Sequence, residues 1–240
     1  MHHKGSDMKP KILGLLAVSL LAGPMAAQAT NIRVNITVDN SYALFYGTGT
    51  QATTFVGADF NWPNTETYNF NLPTDHFIYV VTASDLSVAQ GFLGQFENLD
   101  DGYKFYSNDP QWQVMATGLG NTGAPYSGSA SDLALLTQEI LDANGGGNAS
   151  QGWTGLTAGP VNGSGPWGLR PNIDAAARWT WYSSNGDTDP TSPGFNHDEW
   201  LVFRIAVAST PTTPVPEPGT LALLGLGLAG LGFSRRRKAH

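Results

Sequence analysis

From Ile32 to Asp39 apolar and polar residues alternate without a break. Ile32, Val34, Ile36 and Val38 stand on one phase, and Arg33, Asn35, Thr37 and Asp39 on the other. A period of two predicts a strand with one face buried. Asp39-Asn40-Ser41 supplies turn residues, and Tyr42–Tyr46 is predicted to run back as the next strand. Thr53–Val56 and the alternating Tyr68, Phe70 and Leu72 predict two more, the latter ended by Pro73. Phe77–Thr82 is a β-branched and aromatic run suited to a strand buried on both faces. Phe92–Phe96, Tyr103–Tyr106 and Trp112–Thr117 follow, and Ala176–Tyr182 and Glu199–Ala208 close the series.

The period changes once. Leu133, Leu136, Ile140 and Leu141 recur at helical spacing, so Asp132–Ala143 is predicted as a helix. Ser129 or Ser131 would cap its start, and Asn144-Gly145-Gly146-Gly147 would end it. Gly145–Gly168, rich in Gly, Pro, Asn and Ser, reads as a long surface excursion. About nine short strands and one helix predict a mostly β fold, a β-sandwich.

The two ends have a different pattern. Lys4, Lys9 and Lys11 precede the apolar run Ile12–Leu21, and Ala27-Gln28-Ala29 gives a small-x-small cleavage pattern. Residues 1–29 therefore read as a signal peptide, recognised by the Sec translocon and cut by signal peptidase, with Thr30 as the first mature residue. Translation from Met8 would serve as well as from Met1. At the other end, Ser/Thr/Pro-rich residues 209–215 form a semi-extended linker. Pro216-Glu217-Pro218 leads into the uncharged stretch 219–233, and Arg235-Arg236-Arg237-Lys238 follows almost at once. As a helix, that stretch spans about 22 Å, against about 30 Å of hydrocarbon core. Gly225, Gly227, Gly230 and Gly232 weaken it further. It is suited to a segment that holds a protein in the membrane only until release. The cationic cluster should stay cytoplasmic, leaving the residues before Pro216 outside.

This order of parts, residues 216–240, resembles the PEP-CTERM sorting signal of Gram-negative bacteria. The resemblance implies an exosortase-like membrane protease as partner. It also implies transient inner-membrane anchoring, then residence in the cell envelope or the extracellular matrix, with a role in biofilm or floc. Pro216, Glu217, Pro218 and Arg235, Arg236, Arg237 and Lys238 would be its sorting residues. A plain C-terminal anchor without processing is the alternative. A second resemblance is shorter and scattered. Val38–Tyr42, the Trp62 loop, Ala177–Trp181 and Trp200–Arg204 look like parts of galactose-binding-like jelly-roll modules.

Composition narrows the chemistry of residues 30–208. Between Thr30 and Pro214 five basic residues face 17 acidic ones, a balance hidden by the cationic ends in the whole-chain value of −7. That charge argues against nucleic acid and anionic membrane surfaces, and is compatible with calcium or neutral exopolysaccharide. The absence of cysteine excludes disulfides, a thiol nucleophile and thiolate metal sites. No Gly-x-Ser-x-Gly elbow is present, and only His76 and His197 lie in the domain. The many carboxylates read as a solvated face, so the domain is expected not to be an enzyme and to require no cofactor. Asn185, Asp187 and Asp189 place oxygen ligands at alternate positions, as the opening of a calcium loop does. An Asx-turn loop without metal explains the same residues. Of the seven tryptophans, Trp62, Trp153 and Trp167 lie in polar loops and could form a sugar-stacking platform, or pack under those loops. Trp112, Trp179, Trp181 and Trp200 are predicted to be core, with Trp179 and Trp181 on one strand face. A structural or adhesive matrix role is the leading expectation, a carbohydrate-binding module the alternative, and a glycan-active enzyme the third reading.

Overall fold

A computed structural model describes residues 29–85, 89–120, 123–146, 152–182 and 199–207. The predicted signal peptide, the sorting tail with its apolar stretch 219–233, and the triplet Asn185, Asp187 and Asp189 lie outside them. Among the described residues no helix is long and apolar enough to cross a membrane.

Among the described residues eleven strands and one helix follow in the order β1 (Thr30–Asp39), β2 (Ser41–Thr48), β3 (Gln51–Asp59), β4 (Glu66–Leu72), β5 (Phe77–Ala83), β6 (Gly91–Asn98), β7 (Lys104–Tyr106), β8 (Gln113–Gly120), α1 (Ala130–Gly145), β9 (Thr157–Val161), β10 (Arg178–Trp181) and β11 (Glu199–Ala206). They form two antiparallel sheets. The front sheet runs β4-β1-β6-β10-β9, with β7 also paired to β6, and the back sheet runs β3-β2-β5-β11-β8. The fold is a β-sandwich.

The apolar phase of β1, Ile32, Val34, Ile36 and Val38, enters the core between the sheets. There it joins Phe92 and Phe96 of β6 and Leu44, Val80, Leu201 and Phe203 of the back sheet. Each such fully buried side chain contributes about 1.5–3 kcal/mol relative to exposure. Both outer faces are covered as well. Helix α1 lays Leu136, Ile140 and Ala143 on Phe45, Tyr79, Val81 and Val202, which explains why β5 and β11 are apolar on both phases. On the front sheet, the chain between β9 and β10 covers Leu93 and Trp179 with Trp167 and Ile173.

Ser129 caps α1, its Oγ accepting from the Asp132 amide at 3.2 Å, and Gly146 closes it at φ 72°. Two expectations need correction. Leu141 is 45% exposed, and the buried stripe runs instead through Leu136, Ile140 and Ala143. The excursion Gly145–Gly168 contains a strand, β9, hidden from sequence reading by Gly159 and Pro160. Among the described residues it is an edge strand paired only with β10, a position that tolerates proline.

Candidate functional site

Strict alternation would leave Asn35, Thr37 and Asp39 in water, yet all three are buried. Two loops lie over them, and each side chain bonds to what covers it. Asn35 Nδ2 donates to the Asn172 carbonyl at 2.7 Å, while its Oδ1 accepts from Thr67 at 2.8 Å. Thr37 Oγ1 donates to the Trp62 carbonyl at 2.5 Å. Trp167 Nε1 donates to Asp39 Oδ2 at 2.6 Å. The polar phase of β1 is thus a row of anchors for the covering loops.

The loop between β9 and β10 is organised from within by Asn162. Its Nδ2 donates to the carbonyls of Ile173 (2.7 Å) and Arg170 (3.0 Å), and its Oδ1 accepts from the Arg170 amide at 2.8 Å. Arg170 then joins the two loops: Nη1 donates to the Pro63 carbonyl at 2.8 Å, Nη2 to the Trp167 carbonyl at 2.5 Å, and its guanidinium lies 5.3 Å from the centre of Trp62. Trp167 stacks on Trp179 at 4.2 Å and 19°. Gly91 makes room beneath them, since a Cβ there would meet the Trp179 ring at 2.6 Å and the Trp167 ring at 3.1 Å. Burial pushes the Asp39 carboxyl up to about 6. The Trp167 bond opposes that rise and the charge of Asp85 adds to it.

The three loop tryptophans do not form one platform. Trp62 and Trp167 share the front-sheet cluster, but Trp167 is 3% exposed with a face against Trp179, so of these two Trp62 alone retains open surface. Trp153 lies across the molecule, packed with α1 on the back sheet. There Arg204 sits 3.7 Å from its ring centre and 5.1 Å from that of Phe77. Asn144 Oδ1 accepts both Trp153 Nε1 (2.8 Å) and Arg204 Nη1 (3.0 Å), and Arg204 Nε donates to Gln113 at 2.9 Å. Burial lowers the pKa of Arg204. The four tryptophans expected in the core are buried. Trp179 and Trp181, however, fall in clusters on opposite sides of the front sheet, at a strand whose pairing with β9 is irregular between Arg178 and Thr180.

Asn31, Asn69 and Asn71, with Ile32, Phe70 and Leu99, line a shallow cleft of about 220 Å³ at the β1–β4 side of the front sheet. Among the described residues no three His, Asp or Glu side chains converge as a metal cage would require. Sequence reading missed Asp39, Asn162 and Arg170. The available signal was the short, hydrogen-bonding character of Asn35, Thr37 and Asp39, where a free strand face usually has longer charged residues.

The topology also fixes where the chain enters and leaves. Thr30 pairs with Leu72, residues 73–76 join β4 to β5, and Phe77 pairs with Ala206. Both ends of the domain therefore emerge at one end of the sandwich. The Asp39–Ser41 turn and the Trp62 loop occupy the other.

Comparison with known proteins assigns the C-terminal tail. Residues 214–238 match the PEP-CTERM protein-sorting motif. The motif marks an exported protein, anchored through its C-terminal motif and processed by an exosortase-type membrane protease. No curated protein and no solved structure matches the chain.

Proposed function

We propose that the domain is a non-enzymatic structural or adhesive component of an exopolysaccharide matrix in the envelope of a Gram-negative bacterium. It leaves through the Sec translocon, is trimmed after Ala29, and is held in the inner membrane by residues 219–233 until exosortase-type cleavage near Pro216. The observation that carries this reading is the shared exit of Thr30 and Ala206 at one end, from which the chain runs on in sequence to the tail. Tethered there, the sandwich presents its opposite end, with Trp62, away from the membrane. Cleavage would then release an intact domain, because the last strand is complete before the linker begins.

The test is intact mass of the protein from its native host, in membrane and medium fractions, for wild type and Glu217→Ala. A released species running from Thr30 to near Pro216, lost in the variant, supports the reading. A wild-type species ending at His240 and confined to membranes would sink it in favour of a plain anchor.

A carbohydrate-binding module is the second reading, favoured by the asparagine-lined cleft beside β4 and by the open surface of Trp62. The galactose-binding-like resemblance belongs to it. Host polysaccharide titrated onto the chain should then bind, and bind less to Trp62→Ala or Asn71→Ala. Calcium at Asn185, Asp187 and Asp189 would be an accessory to either reading, tested by a calcium-dependent rise in melting temperature.

A further inference from the structure

The edges of the two sheets are not alike. In the back sheet, α1 lies along β3, with Thr137 Oγ1 donating to the Ala52 carbonyl at 3.5 Å and Asn144 to that of Gly49 at 2.9 Å. Two register shifts further break the pairing of β3 with β2. On the opposite edge, the Thr154 bridge takes the amide and carbonyl of Val114 in β8, both at 2.9 Å. In the front sheet, β9 contains Pro160 and gives its Gly159 carbonyl to Arg178 at 3.0 Å, and β7 is three residues long and begins with Lys104. These are the usual means by which a sheet edge is closed to other chains. Among the described residues β4 has no such cover, irregularity or proline. It is seven residues long, Glu-Thr-Tyr-Asn-Phe-Asn-Leu, pairs with β1 in unbroken register, and exposes Thr67, Asn69 and Asn71.

We infer that β4 is a self-pairing strand, through which two copies of the chain join edge to edge as antiparallel strands about Asn69. The five central residues of β4, Thr67 to Asn71, are complementary to their own reverse. Around that centre Asn69 meets the partner's Asn69, Tyr68 the partner's Phe70, Thr67 the partner's Asn71, and Glu66 the partner's Leu72. Aromatic faces aromatic and amide or hydroxyl faces amide, which are favourable cross-strand pairs. Glu66 is the only charged residue of the strand, so no like charges oppose each other. Tyr68 and Phe70 are held in place from below, Phe70 stacking on Tyr46 at 5.5 Å and the Tyr68 hydroxyl bonding that of Tyr42 at 3.1 Å. The new pair would thus extend a rigid sheet.

Antiparallel pairing reverses the partner, so the chain ends of the two copies point in opposite directions. A strand the length of β1 is about 33 Å tall, and residues 208–215 reach at most about 29 Å. Two neighbours standing upright on one membrane could not pair this way. Released copies, or copies on facing membranes, could. The contact deepens the structural reading proposed above and rests on it for its setting. It is measured on purified chain, whereas that reading is decided by mass in host fractions, so either can fail without the other.

The absence of cysteine makes the register directly testable. Directly opposed Cα atoms of antiparallel strands lie about 4.5–5.5 Å apart, within disulfide range. Full-length chain in mild detergent should sediment as a dimer, and Asn69→Cys should form a cross-linked dimer under mild oxidation. Chains carrying Thr67→Cys and Asn71→Cys should cross-link to each other and poorly to themselves. Asn69→Lys, with circular dichroism and melting temperature unchanged, should weaken dimerisation at least tenfold by opposing two like charges. A chain that stays monomeric at high micromolar concentration overturns the proposal. So does a dimer unaffected by Asn69→Lys that links no better at 69 than through Thr53→Cys on the helix-covered β3.

Discussion

Trp167 Nε1 and Asp39 Oδ2 lie 2.6 Å apart, joining the loop between β9 and β10 to the last residue of β1 across 128 positions of sequence. The bond satisfies a buried indole donor and places a carboxyl where water cannot fully solvate it. The stacked pair Trp167–Trp179 closes over it.

The pH dependence of stability follows from that placement. The Asp39 carboxyl is pushed up to about 6 in the folded chain, above the value of about 3.9 expected when unfolded. A group raised in this way favours folding most when protonated. Its contribution is fully present below the unfolded value and is lost as pH rises through about 6. Asp100 and Asp132 are held below the usual carboxylate range by bonds from Asn31 and from Ser127, so their contributions fade only in more acidic solution. Urea denaturation should therefore show stability rising from neutral pH to about pH 5 by roughly 1.3 kcal/mol, about one unit at 1.36 kcal/mol per unit. Asp39→Asn should remove most of that rise. An Asn variant with the wild-type profile would show that another group titrates.

The two front-sheet tryptophans should separate stability from binding. Trp167→Ala opens a cavity above Trp179 and leaves Asp39 without its donor, so a loss of about 3–5 kcal/mol is expected. Trp62 is half-buried with Arg170 on its ring, and Trp62→Ala should cost about 1–2 kcal/mol. Chemical denaturation measures both. A Trp62→Ala loss as large as that of Trp167→Ala would make Trp62 a structural residue and withdraw it as a ligand contact.

The contrast between β1 and β9 shows what was legible in the sequence. The alternation of β1 is local, and local steric and hydrophobic preference decides it, as it does for the Ser129 cap and Gly146 end of α1. β9 exists because β10 offers it a partner, and no local preference of Thr-Ala-Gly-Pro-Val reveals that. Trp153 and Trp167 looked equivalent, since each is a tryptophan in a glycine-rich loop. Only the topology sends one to α1 and the other to the front sheet. Asp39 read as a turn residue, and its burial depends on a loop more than a hundred residues away. Residues 216–238 were legible because a protease must recognise them as a linear order of parts.

Arg204 tests a different kind of packing. The ion pairs among the described residues are Arg33–Glu97 and Lys104–Asp174, and Arg204 instead is held by two rings and the side-chain amides of Gln113 and Asn144. Lysine cannot reproduce a planar group that stacks while bonding two acceptors. Arg204→Lys should cost about 1–3 kcal/mol, and Asn144→Ala a similar amount, with the double variant less than additive because the two share one network. The penalty should change little between low and high salt, since no exposed ion pair is involved. A penalty that vanishes in high salt would show that a carboxylate partner supplies the stability.

The orientation of the tethered domain gives the last prediction. Gln51 begins β3 at the end where Thr30 and Ala206 lie, and Asn61 follows β3 at the other end, about 30 Å away at the rise of a strand. Both are exposed, and the chain has no cysteine to compete with a label. With Glu217→Ala to prevent release, fluorophores at Gln51→Cys and Asn61→Cys can be compared in vesicles carrying a headgroup quencher. The short linker permits tilting, but the time-averaged distance to the membrane remains smaller at the tethered end. Stronger quenching at residue 51 is expected, with the difference abolished when the tail is removed by proteolysis. Equal quenching at both positions would mean that the sandwich lies flat on the membrane, with the Trp62 end no more available to a matrix partner than the other.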